Sequence, residues 1–166
     1  MDTSLANPQQ WHWSGMRSLG WLETAIKFLA MAVAFVALAQ TLPAAFGWPT
    51  GIPGTLRFVA AAAMTLLLVL AIYDRIADRE VFAMAFLPLN IGAHAAYVYL
   101  IQAGPEHFAV WLYPALMLAG DLVKFAAIRV YDMHVREFGP RVLYFLTEVF
   151  LAGYAICLIT TLILRG

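Results

Sequence analysis

The chain has 166 residues, 63% of them apolar and 12% charged, and its ten basic and ten acidic side chains give a formal net charge of zero. A soluble domain is roughly 45–50% apolar and about 25% charged, so this composition, with a mean hydropathy of +0.79, leaves too little polar surface to clothe a water-soluble globule. It also excludes a disordered chain, a nucleic-acid binder with its basic surplus and, with Cys157 as the single cysteine, a disulfide scaffold or a Cys/His zinc site.

What remains is an all-α integral membrane protein, and the chain divides accordingly. Residues 1–20 read as a cytoplasmic or interfacial tail whose Trp11, Trp13 and Met16 can dip into the headgroups. A spanning helix needs about 20 mainly apolar residues. The first such run is 21–39, ended by a Pro/Gly-rich loop that reaches Gly54. Ala37-Leu38-Ala39 resembles a signal-peptide cleavage site, but the long preceding region and its acidic Glu23 favour an uncleaved anchor. The second span, 56–73, stops at a charged turn, Asp74 to Glu80. The third is 81–102, followed by a short turn at Ala103 to Glu106. The fourth is 107–131, followed by a second charged turn, Asp132 to Pro140. The fifth is 141–164. Residues 21–166 therefore form one transmembrane domain of five helices.

Orientation follows from lysine and arginine placement. Arg17, Arg75, Arg79, Arg129, Arg136 and Arg141 lie on the side of the amino terminus, against Arg57 and Arg165 on the other. The amino terminus is expected in the cytoplasm, with Trp11, Trp13 and Trp21 at the inner interface and Trp48 and Trp111 at the outer one. A bacterial inner membrane is the expected location.

A weak internal repeat is visible. Tyr73-Asp74 recurs as Tyr131-Asp132, Arg79-Glu80 as Arg136-Glu137, Asn90 is answered by Glu148 and Tyr97 by Tyr154. The expected architecture is an anchor helix followed by two helical hairpins in parallel orientation. Ala30 and Ala34, Gly92 and Ala96, and Ala115 and Ala119 are small pairs suited to close helix approach. Pro88 and Pro114 fall inside spans three and four.

Ionisable groups at membrane depth each cost on the order of 2.5–3.5 kcal/mol at mid-span, so they are paired or functional. Lys124 and Glu148 both fall about 10 Å inside the inner boundary by helix rise and are expected to pair across antiparallel helices. Asp121 shares the helix face of Lys124 and is level with Asn90. The candidate polar centre is Asn90, Asp121, Lys124 and Glu148. Two acids against one lysine leave one carboxyl to be protonated, hydrogen-bonded or matched by Lys27. Secondary candidates are Glu23 and Lys27, spaced for a local salt bridge, and His94, the only deep histidine. His94 reads as a hydrogen-bonded core residue more readily than as a haem ligand. Thr160 and Thr161 are expected to bond back to their own helix.

No hydrolase, nucleotide-binding or metalloprotease motif occurs, and no catalytic residue, metal or cofactor is expected. The first functional expectation is a non-catalytic assembly or accessory subunit in a homo-oligomer or larger membrane complex. The alternative is a small oligomeric proton-, ion- or solute-coupled transporter or channel that uses the polar cluster. A second alternative is a redox- or pigment-associated subunit that uses His94.

Overall fold

The computed structural model describes residues 11, 13–41, 51–102, 106–131 and 139–166, giving the backbone path alone at 71–78 and 139–142. It is an all-α bundle of five helices: α1 (Ser18–Thr41), α2 (Gly51–Asp78), α3 (Val81–Leu100), α4 (Phe108–Tyr131) and α5 (Gly139–Arg165). All five are long and apolar enough to cross a membrane. The loop at 42–50 with Trp48, the tail before Trp11, the turn at 103–105 and the second charged turn at 132–138 lie outside the described residues.

The boundary of α2 differs from the sequence expectation. Residues 51–55 were expected in the loop, because Gly51, Pro53 and Gly54 break helices. Instead they form the first turn of α2. Proline is tolerated there because a first-turn N–H has no helical acceptor to lose, and Gly51 takes the left-handed φ of +70° that starts the turn. At its other end α2 runs on through Asp78, so the expected seven-residue turn contracts to Arg79 and Glu80, with Arg79 at φ +54°.

The helices close into a ring. α1 packs on α3 and α4, α4 on α5, α5 on α2, and α2 on α3. α3 and α4 touch only weakly, because α1 stands between them. A parallel hairpin repeat would make the α2–α5 and α3–α4 contacts equivalent, so α1 acts as a wedge in one of two related seams. The proposed repeat partners behave unequally: Tyr97 and Tyr154 are both fully buried, whereas Asn90 is buried and Glu148 exposed. The repeat residues at 73–74, 132 and 136–137 are not described beyond the helical backbone of 73–74.

Small residues set the helix spacing, as bilayer packing requires. Ala30, Ala34 and Ala37 are completely buried along one face of α1. On α4 the close approach falls at Gly120, where an added Cβ would stand 3.1 Å from Lys27 Cγ. On α5 it falls at Gly153, whose missing Cβ leaves room for the Met64 thioether. Leu29, Val36, Leu66, Leu70, Phe145, Ile159 and Leu162 point outward. This arrangement of apolar exterior and polar interior suits a lipid surround.

At the inner end the tail is fastened to the bundle. Phe82 N–H, one of the orphan donors at the start of α3, donates to Trp13 O at 3.0 Å. Trp13 and Trp21 meet the Phe82 ring edge-on at 6.0 and 5.2 Å. Ser18 Oγ lies 2.8 Å from Tyr131 Oη, and the Arg17 guanidinium stacks over the same ring.

Candidate functional site

α1 runs parallel to α3 and antiparallel to α4. Lys27 stands nine residues into α1, Asn90 nine into α3, and Asp121 ten before the end of α4. At 1.5 Å per residue the three are level, about 14–15 Å from the inner end. α1 and α4 approach closely at Gly120, so the Lys27 stem lies across that glycine and its ammonium reaches Asp121. Lys27 Nζ donates to Asp121 Oδ1 at 2.6 Å and to Glu23 Oε1, one turn earlier on α1, at 2.7 Å. The Lys27 and Asp121 side chains are 7% and 4% exposed and that of Glu23 is 18% exposed, so the triad opens toward the inner end.

Of the expected centre, Asp121 and Asn90 share this level in the interior. The expected Lys124–Glu148 pair does not form among the described residues. Glu148 is exposed on α5, and Lys124 is half-buried on the neighbouring face of α4. The cause is rotational: equal depth does not make two positions face each other. Lys27 and Glu23, secondary in the sequence, are the residues that meet Asp121.

One turn outward from Asn90 lies a fully buried imidazole–phenol cluster. His94 Nε2 is hydrogen-bonded to the Tyr154 hydroxyl. The His94 ring meets Tyr113 edge-on with centroids 5.5 Å apart, and Tyr113 stacks on Tyr97 at 4.8 Å. Tyr97 donates its hydroxyl proton to Val110 O at 3.3 Å. That carbonyl is available because Pro114, four residues on, has no N–H to offer it. An intramembrane proline marks such a carbonyl, and this signal could have linked Tyr97 to α4 from sequence. Tyr113 was missed because a lone aromatic in an apolar span resembles any other.

Arg57 was also missed. With α2 starting at 56 it would sit at the outer surface. Because α2 starts at Gly51, Arg57 lies about 9 Å inside and is 3% exposed. Its Nη2 donates to Ile101 O at 2.7 Å and its Nη1 to Thr161 Oγ1 at 3.3 Å. Ile101 caps α3, where free carbonyls and the negative helix end favour a cation. Cys157 Sγ contacts the Arg57 carbonyl at 3.8 Å, so the thiol is a core residue between α2 and α5. Thr160 and Thr161 bond back to Ile156 O and Cys157 O as expected.

No protein-family model, curated protein or solved structure matches this chain.

The chemistry must therefore be read from the side chains. Among the described residues no three His, Cys, Asp or Glu side chains converge to hold a metal ion. His94 presents Nε2, the nitrogen through which haem is commonly held, to Tyr154. The cluster is suited to holding and passing protons or binding a small cation. Glu23, Lys27 and Asp121 carry two negative charges against one positive, and imidazole and phenol groups lie one to two turns further into the bundle.

Proposed function

We propose that this protein is a small proton- or cation-translocating protein of a bacterial inner membrane, with its amino terminus in the cytoplasm, and that Glu23, Lys27 and Asp121 form its exchange centre. One observation carries the proposal: two carboxylates converge on a single lysine inside a membrane-spanning bundle. A neutral pair would suffice to fix helix register. A second acid beside it supplies a site whose charge changes when a proton or cation arrives, and ionisable groups at this depth mark ion and proton routes. The burial of Arg57 supports the orientation, since it removes one of the two arginines assigned to the outer face and leaves Arg165.

The accessory-subunit reading is favoured by the same ion pair taken as a lock between α1 and α4. Flux separates the two. Purified protein in proteoliposomes loaded with a pH-sensitive dye should dissipate an imposed proton or sodium gradient, and Asp121→Asn or Glu23→Gln should abolish that activity. Flux equal to wild type in both variants would leave the accessory subunit, tested in turn by partner chains retained on mild-detergent purification. The expected homo-oligomer is read from the mass of the detergent-solubilised complex.

A further inference from the structure

Residues 13–18, which precede and open α1, run across the inner end of the three helices that carry the site. At α3, Trp13 O accepts the Phe82 N–H at 3.0 Å. At α4, Ser18 Oγ meets Tyr131 Oη at 2.8 Å, with Arg17 over the same ring. Between these fastenings Met16 turns onto α1. Its side chain lies on the bare face of Gly20, where an added Cβ would stand 3.3 Å from Met16 Cβ and 3.6 Å from its sulfur. The sulfur accepts the Thr24 hydroxyl proton at 3.4 Å. Gly20, Thr24 and Lys27 follow one another at spacings of four and three, so they share one face of α1. Thr24 and Lys27 are both 6% exposed, so that face looks into the bundle. The Met16 thioether is therefore seated one turn inward of Lys27, toward the inner surface, on the face from which Lys27 reaches Asp121.

We infer that residues 13–18 form a strap, with Met16 as its stopper, that closes the inner approach to Glu23, Lys27 and Asp121 and is released to admit the exchanged ion. The strap stands on these contacts. Its use as a gate rests on the function proposed above. Its build suits release. Trp13 to Arg17 lie outside the α1 helix, and a segment held by a few part-exposed hydrogen bonds opens at far lower cost than the helices beneath it. A Cβ added at Gly15 would meet nothing within 4 Å, so no neighbour packs on the segment between Trp13 and Met16. The Trp13 ring is exposed apart from its edge-on contact with Phe82. Such a ring prefers the headgroup layer, which gives the lifted strap a resting place.

Thiol labelling tests the strap. Thr24→Cys places a thiol beneath Met16, and the wild type, whose one thiol at Cys157 is completely buried, gives the blank. In protein held in lipid nanodiscs, the introduced thiol should react slowly with a cationic, water-soluble methanethiosulfonate. Adding Met16→Gly should speed the reaction by about tenfold or more. Tyr131→Phe is the stricter test, since it removes the Ser18 fastening without touching position 24. Loss of that hydrogen bond should raise the open fraction, and with it the labelling rate, by about fivefold. A thiol that reacts at full solution speed under the intact strap, or a rate that Tyr131→Phe does not alter, would overturn the strap. In proteoliposomes Tyr131→Phe should raise flux, and faster labelling without faster flux would overturn the gating role. Where Asp121→Asn also leaves flux unchanged, it is the transport proposal that fails, and faster labelling still establishes the strap.

Discussion

Lys27 of α1 reaches Asp121 of α4 across the bare backbone of Gly120, and the 2.6 Å ion pair joins residues 94 positions apart in the membrane interior. Removing one partner of a buried pair leaves the other charge unmatched, at a cost of about 3–5 kcal/mol. Lys27→Met should therefore lower the melting temperature in detergent sharply, because it strands the Asp121 carboxylate. Adding Asp121→Leu should recover most of the loss. A single variant as stable as wild type would contradict the pairing.

Gly120 makes that pair geometrically available. A Cβ there would meet Lys27 Cγ at 3.1 Å and Cε at 3.3 Å, so the lysine stem must yield by a few tenths of an ångström for alanine. Gly120→Ala should be tolerated with a small loss. Gly120→Leu should displace the stem and cost about 1–3 kcal/mol, and it should lower any flux along with stability. Thermal melts of the two variants side by side give the comparison.

Tyr97 and Pro114 are coupled through Val110 O. Tyr97→Phe in the wild-type background strands that carbonyl and should cost about 1 kcal/mol. In a Pro114→Ala background the new N–H serves the carbonyl from within α4, so the same change should cost almost nothing. A double-mutant cycle measures the difference, and additive effects would exclude the coupling.

Arg57 closes the outer end of α3. Arg57→Ala removes its hydrogen bonds to Ile101 O and Thr161 Oγ1, and loss of hydrogen bonds to a charged group costs on the order of 1.5–3 kcal/mol. The effect should be local. Backbone deuterium uptake should rise at Leu100 to Gln102, with the centre of α3 unchanged.

Glu148 offers the contrast. It is exposed on α5 and makes no ion pair among the described residues. Glu148→Gln should change stability by less than about 0.5 kcal/mol, measured in the same melts that show a large loss for Lys27→Met.

Much of the bundle was legible because span length and charge placement are one-dimensional properties. Val81 to Leu100 and Phe108 to Tyr131 fall within two residues of the expected third and fourth spans. The largest departure was α2, where Pro53 was read as a breaker although a first-turn proline is permitted. That shift of a few residues hid Arg57, since depth is counted from the helix start. For the polar centre, residue types and depths were readable: Asp121 was level with Asn90, and Lys27 was named as a match for a surplus acid. Which acid meets which lysine was not readable, because depth leaves the rotation of each helix open.

The sequence by itself determined a five-helix membrane bundle, the layer at which its ionisable groups lie, and the local Glu23–Lys27 bridge. Each follows from apolar length, a fixed rise per residue or a spacing of four along one helix. Only the tertiary structure decided that α1 wedges between α3 and α4. It also decided that Asp121 faces Lys27 while Glu148 faces outward, and that His94, Tyr113 and Tyr154 share one pocket. The physical reason is that hydropathy is nearly uniform around a lipid-embedded helix. Helix rotation is set instead by where small residues such as Gly120 and Gly153 let neighbours approach and by which buried polar groups can be satisfied there.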